Sequence, residues 1–239
     1  MKKVIVLVGL VFGMTMGAQS NSDLIKHFEA YYKQMQKQGD VQGIISGLTH
    51  LNVLSPSMER VDTLAYIYMR EGQYVQALNT IGVEKKMDDS DMALEVKAIS
   101  LKAVKRPELA LWFFQEIFKR DPNAHLAYEL AELNLQTQQV EEADKNIAYG
   151  LANATDDMKK AFYETQQPYE VSLKSAFMYL QALSLYNKDR KANIDAAVDI
   201  LDAAFKQSPN FNLIQITKNE LLRQKQMLQA QAAEGKKQE

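Results

Sequence analysis

Small and large apolar positions in the middle of the chain recur with one period. Ala65, Ala98 and Ala131 fall 33 residues apart, and Ala77, Ala110 and Ala143 do the same. Within each unit the two alanines are 12 apart, and a large apolar residue (Ile81, Phe114 or Ile147) follows the second by four. A period near 34 with this internal spacing predicts paired helices that stack, because one pair cannot bury its apolar side alone.

The same ruler extends outward. Asp23 is placed to cap a helix from Leu24 to Gln38, which Gly39-Asp40 breaks. A return helix over Val41 to Leu54 puts Ile44 and Leu48 33 residues before Ala77 and Ile81, with the small positions of this first unit drifted to Tyr32 and Ile44. Gly72 lies at a helix-to-helix turn, where a positive φ is needed. Pro107 opens a second helix, where its missing N–H costs nothing. Lys97 and Asn134 stand where the pattern wants large apolar residues. After Leu151 the phase is lost across one short helix. A longer helix is then expected from Tyr169 to Tyr186, carrying Ala182, and a polar turn leads to a partner with Ala197, Leu201 and Ala204. From Phe211 to Ala233 a single apolar stripe (Leu213, Ile216, Leu221, Met227 or Leu228) describes a capping helix, with an unstructured tail from Gly235. All five prolines fall at predicted helix edges. Val and Ile are scattered rather than alternating, which leaves strands without support.

Leu64-Ala65, Tyr68, Gly72, Tyr74, Ala77 and Ile81, with Pro56 and Pro122 between units, resemble the motif of the tetratricopeptide repeat. The resemblance implies an all-α fold: a right-handed α-solenoid of about five helix-turn-helix repeats near 23–56, 58–89, 91–122, 124–155 and 169–209, with a C-terminal capping helix and tail over 210–239. It also implies a job of the protein-binding kind.

Composition adds location. Lys2-Lys3, an apolar stretch from Val4 to Met16, then Gly17, Ala18 and a polar run are laid out as a secretory signal peptide over residues 1–18, of the bacterial export kind. The apolar part is shorter than the roughly 20 residues that a spanning helix needs. Cleavage near Ala18 would leave a periplasmic or secreted chain without an integral membrane span. The chain has no cysteine, so a disulfide, a thiolate metal site and a lipid anchor on Cys are all excluded. Formal charge is −2, and loss of Lys2 and Lys3 leaves 26 basic against 30 acidic residues. Such a balance carries no footprint for nucleic acid.

Chemistry-bearing motifs are missing from the sequence. There is no Gly-rich phosphate loop, HExxH, Gly-x-Ser-x-Gly or EF-hand loop, and Asp88-Asp89-Ser90-Asp91 is read as a helix cap. His125 has Glu129 and Glu132 one and two turns on, but decoration of an exposed helix is the simpler reading. No catalytic residue, cofactor or metal is assigned, and the chain is read as not an enzyme.

In the resembled family the first helices line a groove that contacts extended peptides. Carried over by phase, the resemblance implies partner-binding positions at Glu59, Asp62, Tyr66 and Met69 in the second repeat. It implies Glu95 and Ile99, with Met92 and Lys102, in the third, and His125, Tyr128 and Glu132 in the fourth. Tyr179, Leu183 and Tyr186 would join from the fifth. Acidic positions there would select basic partners, and Tyr and Met supply adaptable contact area. On the other helices, Trp112 and Phe113 occupy phases that are small or polar in the other repeats, so something should cover this pair, either a neighbouring helix of the same chain or a partner that docks on it as a second contact patch. The resulting expectation is a non-enzymatic protein-interaction scaffold of the cell envelope. A glycan- or envelope-polymer-binding module that stacks sugars on groove tyrosines is the alternative.

Overall fold

The computed structural model describes residues 21–238, with side chains described through residue 231. The leader expected over residues 1–18 lies outside them. The chain divides into two compact units, one up to Glu84 and one from Lys85.

The first unit holds α1 (Asn21–Gln38), α2 (Val41–Leu54), α3 (Met58–Arg70) and α4 (Tyr74–Ile81), with α1 packed on α2, α2 on α3 and α3 on α4. Helix α1 already begins at Asn21, so Asp23 stands in its first turn rather than ahead of it. There its charge faces the positive end of the helix dipole. Asp40 caps α2, its Oδ1 accepting from the Gly43 N–H at 2.9 Å. The small position of this repeat is Gly47, not Ile44: a Cβ at 47 would come within 3.2 Å of the Tyr32 Cα, while Ile44 is only half-buried. Ile45, Leu48 and Leu64 form the core, with Tyr32, Val41, Ile67 and Tyr68 against it.

The second unit holds α5 (Asp91–Ala103), α6 (Pro107–Arg120), α7 (Ala124–Gln136), α8 (Val140–Asn153), strands β1 (Lys159–Phe162) and β2 (Tyr169–Ser172), then α9 (Leu173–Lys188), α10 (Ile194–Gln207) and α11 (Asn212–Gln238). Helices pair as α5–α6, α7–α8 and α9–α10; α9 also packs on α8, and α11 on α10. The alanines sit where the spacing requires them: Ala65, Ala98, Ala131, Ala77, Ala110 and Ala143 have no exposed surface, and neither does Ala197. Helical backbone continues past Gly235 to Gln238.

Turns between paired helices repeat with the same period. Gly39, Gly72, Lys105 and Gln138 have φ of 67°, 72°, 59° and 60°. Each donates its N–H three residues back, to Gln36, Met69, Lys102 and Leu135, and the next residue donates five back, to Met35, Tyr68, Leu101 and Asn134. This double bond satisfies the last carbonyls of the first helix of each pair. Glycine makes it without strain in two repeats, whereas lysine and glutamine hold it against the left-handed penalty in the others.

The two polar departures are both buried. Lys97 is fully enclosed, its Nζ 2.6 Å from Asp89 Oδ2 and 5.5 Å from the centre of the Phe113 ring. Asp89 is therefore an ion-pair partner rather than part of the cap, which Ser90 alone supplies by accepting from the Ala93 N–H at 3.0 Å. Asn134 is 1% exposed, and its Oδ1 meets no donor among the described residues.

The segment after α8 departs from expectation. Where the lost phase suggested a short helix, and where Tyr169–Ser172 was assigned to a helix, β1 and β2 form an antiparallel hairpin pairing Lys159 with Ser172, Lys160 with Val171, Ala161 with Glu170 and Phe162 with Tyr169. Phe162 and Val171 are buried on one side, and Lys159 and Glu170 are exposed on the other. That alternation is a strand signal carried by only four residues per strand. Phe162 packs on Phe211 at 4.7 Å between centres and stacks near-parallel with Tyr169. These contacts join the hairpin to the main core of the unit, which also contains Phe177, Leu180, Leu201, Phe211 and Ile214.

Candidate functional site

The positions expected to line the groove fall into three groups. In the first unit Glu59 is exposed and Tyr66 half-buried, but Asp62 and Met69 are buried, at 7% and 5% exposure. Beside Glu59, helices α1 and α3 border an open cleft of about 440 Å³ whose polar wall includes Glu29, Lys33, Arg60 and Thr63. Arg60 is held in place by an Nη2 donation to the Ser55 carbonyl at 2.6 Å.

In the second unit the side chains are gathered by charge. Lys102, in the last turn of α5, donates to both Glu129 and Glu132 of α7. Lys160 of β1 donates to the other oxygen of Glu129 at 2.6 Å, and its Nζ lies 4.8 Å from the centre of the Tyr128 ring. The four charged groups are each about a quarter exposed, between 20% and 30%. Burial alone would raise the Glu129 carboxyl, but Lys102 and Lys160 outweigh it and hold the group below its ordinary value. Burial alone would lower Lys102, but the two glutamates outweigh it and raise the amine. The Tyr128 phenol is pushed well up, by burial first and by Glu132 and Glu129 second. Further along, Tyr179 lies 3.3 Å from Thr217 Oγ1, and Tyr186 donates to Gln224 of α11.

Several assignments therefore change. Tyr128 is 1% exposed and roofed by Lys160, so it offers a partner no surface. Glu132 spends its carboxylate on Lys102, while Glu95 and His125 remain exposed and Ile99 half-exposed beside the cluster. Phe113 has no exposed surface, sandwiched by Lys97 and an edge-on Trp112 at 4.9 Å, so it is a core residue rather than a docking one. Trp112 is half-buried with Lys85 Nζ 5.3 Å above its ring. Lys160 was not legible as a site residue. Its signal was the alternation Lys160-Phe162 facing Val171-Tyr169, which is too short to separate from loop.

Among the described residues no three His, Asp or Glu side chains converge as a metal site, and no helix is long and apolar enough to cross a membrane. The cluster can hold charge and present half-buried side chains to a ligand laid across α5 and α7.

No family model matches the chain, and no curated protein matches it. Solved structures do. A tetratricopeptide repeat protein from Parabacteroides merdae is 16% identical with a TM-score of 0.57, over 85% of this chain and 73% of that one. YrrB, described as a TPR protein with an unusual peptide-binding site, is 12% identical with a TM-score of 0.62, over 85% of this chain and all of that one. MamA from Desulfovibrio magneticus is 14% identical with a TM-score of 0.55, over 81% and 99%. The 33-residue spacing, the buried alanines and these likenesses agree: the chain has the tetratricopeptide-repeat fold, an all-α array of paired helices.

Proposed function

We propose that the chain is a non-enzymatic scaffold of the cell envelope that holds an extended peptide segment of a partner protein along its first helices. The observation that carries this reading is the cluster on α5 and α7, where Lys102, Glu129 and Glu132 are preset by one another next to exposed Glu95, Ile99 and His125. Side chains already held in position lose little entropy on binding. The peptide-binding site named for YrrB supports the same use of this fold. A preference for basic segments rests on Glu95 in the second unit, because the carboxylates of Glu129 and Glu132 are already matched by lysines. The test is a photo-crosslinker placed at Ile99 in the exported chain, in its native cells. A discrete protein adduct that disappears with Glu95→Lys is expected. Recovery of uncrosslinked chain alone would overturn the scaffold reading.

One feature favours the glycan alternative, though at another place than the groove tyrosines. An open hollow of about 620 Å³ is lined by Thr165, Gln166, Gln167, Tyr169, Asn210 and Asn212, with Pro168. Uncharged amides and hydroxyls beside a tyrosine ring suit a neutral saccharide. Binding there would be nearly independent of salt, whereas a contact through Glu95 would weaken as salt is added.

A further inference from the structure

Lys160 shows what the face of α7 accepts. Its ammonium stands 2.6 Å from Glu129 Oε1 and 4.8 Å from the centre of the Tyr128 ring, so a cation is held between a carboxylate and an aromatic face. Tyr128, Glu129 and Glu132 belong to the first helix of a repeat, whereas Lys160 arrives from a hairpin that has no counterpart among the described residues of the earlier repeats. The hairpin has anchors besides that ammonium. Phe162 and Val171 lie in the core, the Leu173 N–H donates to the Met158 carbonyl at 2.9 Å, the Ser172 N–H donates to Ser208 Oγ at 3.2 Å, and Asn210 Nδ2 donates to the Glu170 carbonyl at 2.9 Å. The Lys160 side chain is about a quarter exposed, so its ammonium can swing into water while the strand stays in place, and a partly exposed pair resists this only weakly. With the ammonium gone, Glu129, Glu132 and the exposed Glu95, two turns before Lys102 on the same face of α5, are three carboxylates against the one amine of Lys102.

We propose that Tyr128, Glu129 and Glu132 form a binding site for an arginine side chain of the partner segment, and that Lys160 is a tethered stand-in which this arginine displaces. The inference rests on the peptide-scaffold reading and names the residue that the peptide must carry. Arginine suits the site better than lysine, because a planar guanidinium lies flat on a ring and can give two parallel N–H bonds to a carboxylate. Beside it, half-exposed Ile99 offers contact to an apolar neighbour of the arginine, and Glu95 to a second basic residue. Lys160 belongs to the same chain and so competes at a high effective concentration. Only molecules with the ammonium swung out are competent, and the apparent affinity is the intrinsic one reduced by their fraction. The stand-in also sets specificity. A neutral or acidic segment brings no charge to replace the ammonium and would leave Glu129 with one cation fewer.

The experiment selects from a random decapeptide display library on the full mature chain and on its Lys160→Met variant, in which methionine keeps an unbranched stem over the ring without the charge. Arginine should be enriched among the peptides from both. The selected peptides should bind Lys160→Met about tenfold more tightly than wild type, and adding Glu129→Gln should remove that gain. Citrulline in place of the arginine should abolish binding to either. Lys159→Met, on the other face of β1, should change affinity by less than roughly threefold. A readout on the unaltered chain comes from NMR: the Lys160 ε-methylene signals, displaced by the Tyr128 ring current, should move to the positions of a free lysine as peptide is added. Peptides that bind while those signals stay in place, and that bind Lys160→Met no better, would overturn the exchange and leave the scaffold reading standing. Selection of acidic peptides that Lys160→Met no longer binds would make Lys160 itself the contact and overturn the arginine site. Failure of both proteins to select any peptide would overturn the site and the scaffold reading together.

Discussion

Between Gly39 and Gln138 one turn geometry is made four times with three residue types (glycine twice, lysine and glutamine) at the left-handed position, whereas the segment 159–172 is made once and matches nothing else among the described residues. In the repeats each local choice is backed by another at the same phase: buried alanine, left-handed turn and large apolar residue arrive together. The hairpin has no such internal support. Its strands have four residues each, and what holds them is Phe162 on Phe211, Lys160 on Glu129 and Ser208 with Asn210 along one edge. Regular repeats tolerate chemical drift because geometry is shared, and a single insertion must be specified by contacts at its own site.

Four sets of substitutions press on this contrast. The largest effect belongs to the repeat lattice: Phe113→Ala should cost about 3–5 kcal/mol in urea unfolding. Trp112→Ala, half-exposed under Lys85, should cost only about 1 kcal/mol. Equal losses would place Trp112 in the core after all. Next, Lys97→Ala should cost about 3 kcal/mol, since Asp89 would remain buried without its cation. Partial recovery on adding Asp89→Leu is expected, and its absence would assign the loss to packing.

At the hairpin, Glu129→Gln should cost about 1–2 kcal/mol near neutral pH, because Lys102 and Lys160 both lose charge-assisted bonds while partly exposed. The sign with pH follows from the lowered carboxyl. Its stabilisation is complete above its ordinary value of 4.5 and is lost as pH falls through the depressed folded value. Lys102, raised above 10.5, contributes fully below that pH and loses its contribution as pH rises through the raised value. The difference between wild type and Glu129→Gln should therefore be flat across the middle range and shrink in acid, read by denaturation at a series of pH values. A difference that persists unchanged below the depressed value would rule out the ion pairs as its source. The smallest effect is a gain: Lys105→Gly and Gln138→Gly should each stabilise by about 0.5–1 kcal/mol, as left-handed strain exceeds the entropy cost of glycine. No gain at either position would mean that side-chain contacts compensate the strain.

Much of the helical lattice was legible because helix pairing depends on residues a few positions apart. Ala65, Ala77, Ala98 and their repeats announced close helix contacts, and Pro107 announced the start of α6. The first repeat was misread at Ile44 because a glycine three positions on took over the close approach to Tyr32. The positions expected to line a groove were assigned by phase, which does not carry exposure. Asp62, Met69 and Tyr128 have the phase of a surface residue, and tertiary neighbours bury them.

Period and spacing, which are properties of a chain before it folds, determined that the first four helix pairs recur about every 33 residues and where those pairs turn. The tertiary structure decided what lies in the second unit's site. Lys160 follows Glu129 by 31 residues and Lys102 precedes it by 27, so they meet only once α5, α7 and the hairpin are in place. Local sequence specifies what local hydrogen bonds and helix faces can enforce. The charge cluster that joins β1 to α5 and α7 arises from long-range packing, which no short stretch of residues encodes.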